Sequence, residues 1–126
     1  DDTLFGGGGQ DTLSGWSGQD TLTGGAEADT FSFHTSANLG NLPDFITDFS
    51  QADGDVIDLE GFEGFALDET FSFIGTAGFS GTAWELRYEQ VAGETVVSGD
   101  TDGDGVGDFE IHCIGTINFT VNDFTL

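Results

Sequence analysis

The sequence predicts an all-β protein: a short parallel β-roll of glycine/aspartate nonapeptide repeats followed by an antiparallel β-sandwich. Three observations predict it. Aspartate returns every nine residues, at Asp2, Asp11, Asp20 and Asp29. Each is followed by Thr and then by an apolar residue: Leu4, Leu13, Leu22, Phe31. Beyond His34 the period is lost, and short alternating or dense apolar runs are separated by turn signals.

The roll comes first, over 1–35. Its units are Gly6-Gly7-Gly8-Gly9-Gln10-Asp11-Thr12-Leu13-Ser14, then Gly15-Trp16-Ser17-Gly18-Gln19-Asp20-Thr21-Leu22-Thr23, then Gly24-Gly25-Ala26-Glu27-Ala28-Asp29-Thr30-Phe31-Ser32. Glycine permits the positive φ and close backbone approach of a tight turn. The Thr-Leu-Ser type triplet is β-prone, with its middle side chain inward. Two units make one turn of a flat roll, so Leu4 stacks under Leu22 on one sheet and Leu13 under Phe31 on the other. Two residues break the pattern. Trp16 replaces the second glycine and is expected to cover one end or face of the roll. Glu27 replaces the fourth, and either adds a ligand or closes the last loop.

Stacked repeats also stack their aspartates. Two carboxylates ~5 Å apart repel by roughly 1 kcal/mol in water and several times that near a protein surface. The chain carries 24 acidic residues against one basic residue, Arg87, for a formal net charge of -23. That balance excludes nucleic-acid binding by phosphate neutralisation and disfavours docking on an anionic membrane. A cation between stacked loops reverses the repulsion. Aspartate oxygens and glycine-loop carbonyls suit the six to eight oxygen ligands of calcium, whereas zinc would want nitrogen or sulfur.

These repeats resemble the calcium-binding nonapeptide of RTX proteins. The resemblance implies several calcium ions held by Asp11, Asp20 and Asp29 with the backbone of Gly6, Gly8, Gly15, Ser17, Gly24 and Ala26. Loops on one edge pair two repeats apart, so loop 6–11 is expected to share calcium with loop 24–29. Loop 15–20 needs a partner from the segment beyond the repeats. Asp44 and Asp48 are the candidates, with strand capping as their alternative role. Asp53, Asp55 and Asp58 are weaker candidates, since Asp53-Gly54-Asp55 also reads as a plain turn.

The second part, 36–126, contains strand-like runs such as Val56-Ile57-Asp58-Leu59, Leu86-Arg87-Tyr88 and Phe109-Glu110-Ile111-His112-Cys113-Ile114, with a turn at Ala92-Gly93-Glu94. A short helix near Leu59 to Leu67 stays open. Cys113, the one cysteine, allows no internal disulfide and reads as a small buried hydrophobe. His34 and His112 read as structural. The stretches Asp44-Phe45-Ile46-Thr47-Asp48-Phe49, Gly54-Asp55-Val56-Ile57-Asp58-Leu59 and Phe79-Ser80-Gly81-Thr82-Ala83 resemble the C-terminal domain of serralysin-type (peptidase M10) metalloproteases. That resemblance implies export of a larger bacterial protein through a type I secretion channel, and an extracellular location. It carries no catalysis, because the zinc-binding motif of two His around a Glu is absent. The ending Asp123-Phe124-Thr125-Leu126 resembles the terminal signal of such exported proteins, and also reads as a final edge strand.

A separate acidic loop spans Asp100, Asp102, Asp104, Val106 and Asp108. Its Asp-x-Asp-x-Asp-Gly spacing matches the first half of an EF-hand calcium loop, with Val106 offering a carbonyl. The twelfth position is Ile111, so the loop is no EF-hand. It reads either as a calcium site or as a solvated hairpin.

The sequence opens in mid-motif, with no signal peptide and no segment apolar enough to span a membrane, and it reads as a piece of something longer. The leading functional reading is a non-catalytic module that folds on calcium and serves secretion. Its expected partners are calcium, an upstream domain and the type I secretion machinery. The alternative is an adhesin or carbohydrate-binding module, for which Trp16, Trp84 and Tyr88 are the aromatics to inspect.

Overall fold

The computed structural model describes residues 1–34, 42–62 and 69–126. Among the described residues eleven strands form: β1 (Thr3–Gly8), β2 (Thr12–Leu13), β3 (Thr21–Ala26), β4 (Thr30–Ser32), β5 (Asp44–Ile46), β6 (Val56–Asp58), β7 (Ser72–Phe73), β8 (Glu85–Val91), β9 (Glu94–Asp100), β10 (Phe109–Ile114) and β11 (Phe124–Thr125). A 3₁₀ turn, Val121–Asp123, precedes β11. The strands build a seven-stranded sheet, β1-β3-β5-β10-β9-β8-β7, and a four-stranded sheet, β11-β6-β4-β2.

Alternate halves of each nonapeptide go to alternate sheets, as the inward middle residue of each triplet requires. Leu4 pairs with Leu22, and Leu22 with Ile46, in one parallel ladder. Leu13 pairs with Phe31, Phe31 with Ile57, and Ile57 with Phe124, in the other. All of these except Leu4, which lies on the end strand, are buried. At roughly 25 cal/mol per Å² of apolar surface removed from water, each buried Leu, Ile or Phe contributes about 1.5–3 kcal/mol.

Residue 35, where the sequence ends the roll, lies outside the described residues, as does most of the segment near Leu59 to Leu67 that could hold a short helix. The parallel ladders run on past residue 35. β5 continues on β3 and β6 on β4. The rise from one turn to the next stays one strand spacing. The chain between aligned residues lengthens, however: Thr3 aligns with Thr21, but Thr21 aligns with Phe45. The nonapeptide period disappears while the ladder persists.

The later strands are antiparallel where a tight turn allows it. β8 and β9 form a hairpin through Ala92 (φ 53) and Gly93 (φ 88), two consecutive positive φ values that match the twist of the flanking strands. β9 and β10 pair antiparallel, and β10 then joins β5 in parallel, with Ile111 opposite Asp44 and Cys113 opposite Ile46. This seam fuses the hairpin region to the roll. One buried cluster reaches from Leu13, Leu22 and Phe31 to Ile111, Cys113, Phe119 and Phe124. Cys113 is fully buried within it, and that burial pushes its thiol pKa up.

Candidate metal centre

The aspartates align in two columns, one on each edge of the roll, and each link is a hydrogen bond from backbone to carboxylate. In the first column the Asp2 N–H donates to Asp20 Oδ1, and the Asp20 N–H to Asp44 Oδ1 at 2.7 Å. In the second the Asp11 N–H donates to Asp29 Oδ1 at 2.9 Å, and the Asp29 N–H to Asp55 Oδ1 at 2.9 Å. The structure thus brings Asp44 to Asp20, as the sequence expects. It also places Asp55, one of the weaker candidates, at the end of the other column.

The second oxygen of these carboxylates defines the site. Asp11 Oδ2, Asp20 Oδ2, Asp29 Oδ2 and Asp44 Oδ2 are buried and have no hydrogen-bond partner. A buried polar atom without a partner costs about 1–3 kcal/mol, and more when charged. In the repeats these oxygens lean over the first glycine of their own loop. A Cβ on Gly6 would lie 2.7 Å from Asp11 Oδ2 and 2.6 Å from the Gly24 carbonyl. Gly15 and Gly24 stand in the same relation to Asp20 and Asp29. The first repeat position is glycine because the carboxylate needs that space.

The second and fourth positions are glycine for another reason. Gly7 and Gly25 have φ of 106 and 109, and Gly9 and Gly18 have φ of 101 and 113. Trp16 (φ 65) and Glu27 (φ 79) adopt the same left-handed backbone without the glycine that favours it. The expectation that Trp16 covers an end or face of the roll is not met, since the residue is 71% exposed. The left-handed turn carries its side chain out into solvent. Glu27 is also exposed.

No lysine exists to neutralise the columns, and Arg87 is engaged elsewhere. It donates to the Ala77 carbonyl at 2.8 Å and approaches Glu89 at 3.5 Å. Among the described residues, the cationic group that approaches a column aspartate is the amino group of Asp1, 3.5 Å from Asp20 Oδ1. Burial pushes the Asp44 carboxyl up to about 6, partly offset by the Asp20 N–H, with the neighbouring Asp20 charge raising it further. Burial raises Asp55 as well, against the lowering effect of the Asp29 and Ser50 N–H donors. The donor set is all oxygen, partly desolvated and short of positive charge. It fits calcium and offers zinc no nitrogen or sulfur.

Asp48 goes elsewhere than loop 15–20. Its Oδ1 accepts from the Gly24 N–H and its Oδ2 from the Gly25 N–H, both at 2.9 Å. In the acidic loop, oxygens of Asp100, Asp102 and Asp108 lie within 4.8 Å of one another, and Asp104 is not part of that group. Asp100 is fully buried and accepts from the Gly103 N–H at 2.6 Å and the Gly105 N–H at 2.9 Å. Asp104 Oδ1 accepts instead from the Val106 N–H at 2.8 Å.

Neither histidine joins these sites. His34 Nε2 meets both Ser32 Oγ, at 2.9 Å, and Asp58 Oδ2, at 3.2 Å. A serine nucleophile relay needs the serine and the acid on opposite ring nitrogens, so this is not one. His112 lies between Glu94 (2.9 Å) and Glu110 (3.3 Å). The three aromatics Trp16, Trp84 and Tyr88 do not share an exposed face either, since Tyr88 is buried and Trp84 packs edge-on against Phe71.

The family described as peptidase M10 serralysin C terminal matches residues 2–126. The chain belongs to that family. Its members are RTX-type repeat modules of secreted bacterial proteins, non-catalytic in themselves, and the family is known for calcium binding. Among solved structures, the chain is similar to the AlgE6R3 subunit of the Azotobacter vinelandii mannuronan C5-epimerase. That match has 27% identity and a TM-score of 0.65, and covers 98% of this chain and 66% of that one. The AlgE6R2 subunit of the same enzyme matches with 25% identity and a TM-score of 0.47, covering 98% of this chain and 86% of that one. No curated protein sequence matches.

Proposed function

We propose that this serralysin C-terminal module binds several calcium ions along its two aspartate columns, and that calcium drives the folding of the module and of a larger secreted protein that carries it. The observation that carries this reading is the set of four buried, unpartnered carboxylate oxygens on Asp11, Asp20, Asp29 and Asp44. The proposed backbone ligands are the carbonyls of Gly6, Gly8, Gly15, Ser17, Gly24 and Ala26, at the first and third positions of each loop. Asp100, Asp102 and Asp108 are proposed as a separate site, with Asp104 and the Val106 carbonyl beside them.

Where calcium is scarce, the -23 charge and the entropy of the glycine loops favour the unfolded chain, which can thread a type I secretion channel. Outside, calcium near the ~0.1–1 mM affinity of extracellular modules binds the folded roll. Each site at tenfold excess over its dissociation constant then stabilises by roughly 1.4 kcal/mol. The module contributes folding, and the activity lies in whatever the parent carries. Circular dichroism in chelator and then in calcium tests the reading, with a disordered spectrum expected to become β-rich. A thermally stable β-rich protein after exhaustive chelation would overturn it.

A further inference from the structure

The connection 47–55 runs from β5 to β6 in turns, with no strand of its own. Two separate parts of the chain hold it. One is the last glycine loop, Gly24–Asp29. Asp48 Oδ1 accepts from the Gly24 N–H and Oδ2 from the Gly25 N–H, both at 2.9 Å. Asp55 Oδ1 accepts from the Asp29 N–H at 2.9 Å and Oδ2 from the Ser50 N–H at 2.8 Å. An oxygen that accepts one N–H keeps a lone pair for a cation. The placing of this connection therefore sets the geometry of the last calcium loop.

The other part is the segment that leads into β11. Gln51 Nε2 donates to Asp123 Oδ2 at 2.8 Å, across 72 residues of sequence, and to the Asn118 carbonyl at 3.1 Å. Asp123 is buried, and the same Oδ2 accepts from the Thr120 N–H at 2.6 Å and the Thr120 hydroxyl at 3.0 Å. Its own turn thus fixes the acceptor that Gln51 reaches. Beside this pair the Phe49 ring meets Phe119 edge-on at 5.1 Å between centroids. Residues 51–54 are exposed. They bury little apolar surface, so hydrogen bonds rather than packing hold this tip of the connection.

We infer that Gln51 and Asp123 are positioning residues for the calcium loop Gly24–Asp29, because they hold the connection that brings Asp48 and Asp55 against it. This rests on the calcium reading above. Without the Gln51 amide, the tip keeps its internal bonds from Asp53, Gly54 and Asp55 to the Ser50 carbonyl, but loses its tie to Asp123. The Asp48 and Asp55 contacts on Gly24, Gly25 and Asp29 then open more often, and calcium must order a looser loop. The effect is confined to one part of the roll. The Asp20 N–H is held by Asp44, which lies in β5 ahead of the connection.

Amide hydrogen exchange by NMR on the full chain in saturating calcium tests this, read beside a calorimetric calcium titration. Gln51→Ala removes an exposed side chain and leaves the core intact. It should speed exchange at the Gly24, Gly25 and Asp29 N–H groups by roughly two- to tenfold, the range expected for loss of one hydrogen bond. Exchange at the Asp20 N–H should match the unsubstituted chain. The number of bound ions should hold, and calcium affinity should fall within the same range. Asp123→Ala should loosen the same three amides, and adding Gln51→Ala to it should change little more, since the two share one contact. Unchanged exchange at Gly24, Gly25 and Asp29 would overturn the inference. So would equal acceleration at Asp20, which would make Gln51 a general stabiliser, and so would an unchanged calcium affinity. An unsubstituted chain that binds no calcium would remove the functional reading, and this inference with it.

Discussion

At the scale of the residue, Asp44 holds the most chemistry. It is fully buried, its Oδ1 accepts one backbone N–H, and its Oδ2 has no partner. Burial first, and the charge of Asp20 after it, lift its pKa from the ordinary 3.8 to about 6. Between those values the calcium-free folded chain holds a proton that the unfolded chain has released. Stability from this group is therefore complete below pH ~4 and is lost as pH rises through about 6. Asp55, also raised by burial, acts with the same sign. In chelator, whatever residual β-sheet circular dichroism signal the chain retains should be greater at pH ~4.5 than at pH ~7, and Asp44→Asn should flatten the difference. In calcium the dependence should invert, because protons then compete with the metal for Oδ2. A calcium-free chain that is more stable at the higher pH would contradict the assignment.

At the scale of the element, the loops divide into two kinds. The roll loops leave carboxylate oxygens free, and the 100–108 loop spends most of its own on backbone N–H groups. Asp100 uses both oxygens, and Asp108 Oδ2 accepts from the Thr101 N–H at 2.7 Å. Its three converging carboxylates still concentrate negative charge, but the lack of a bidentate twelfth residue argues for weaker calcium binding than in the roll. Asp102→Ala should therefore lower calcium stoichiometry by one and leave the roll's transition nearly unchanged. Asp104→Ala should do less, because Asp104 stands outside the cluster. An unchanged ion count in Asp102→Ala would make the loop a hairpin turn and nothing more.

At the scale of the whole molecule, the β5–β10 seam and the shared core tie both halves together. A roll docked loosely on a separate sandwich would melt in two steps. One cluster running from Leu13 to Phe124 should melt in one. In saturating calcium, far-UV circular dichroism and the fluorescence of Trp84, read in a Trp16→Phe background, should give coincident thermal transitions. Two separated transitions would show that the seam does not couple them.

The nonapeptide repeats, the inward stacks of Leu4 on Leu22 and Leu13 on Phe31, the all-β class and the regular spacing of Asp11, Asp20 and Asp29 are all legible in the sequence. These are local facts: a nine-residue period fixes both the strand phase and the position of each carboxylate. Where the columns end is set by the fold. The sequence offers Asp44 and Asp48 alike for loop 15–20, and the fold pairs Asp44 with Asp20 and Asp55 with Asp29 across separations of 24 and 26 residues; a connection of irregular length carries no period to read. Nor could the sequence tell that Asp48 caps Gly24 and Gly25, or that Trp16 points into solvent. Those outcomes depend on which backbone donors the next turn of the roll leaves unpaired, and that is settled only when the turns stack.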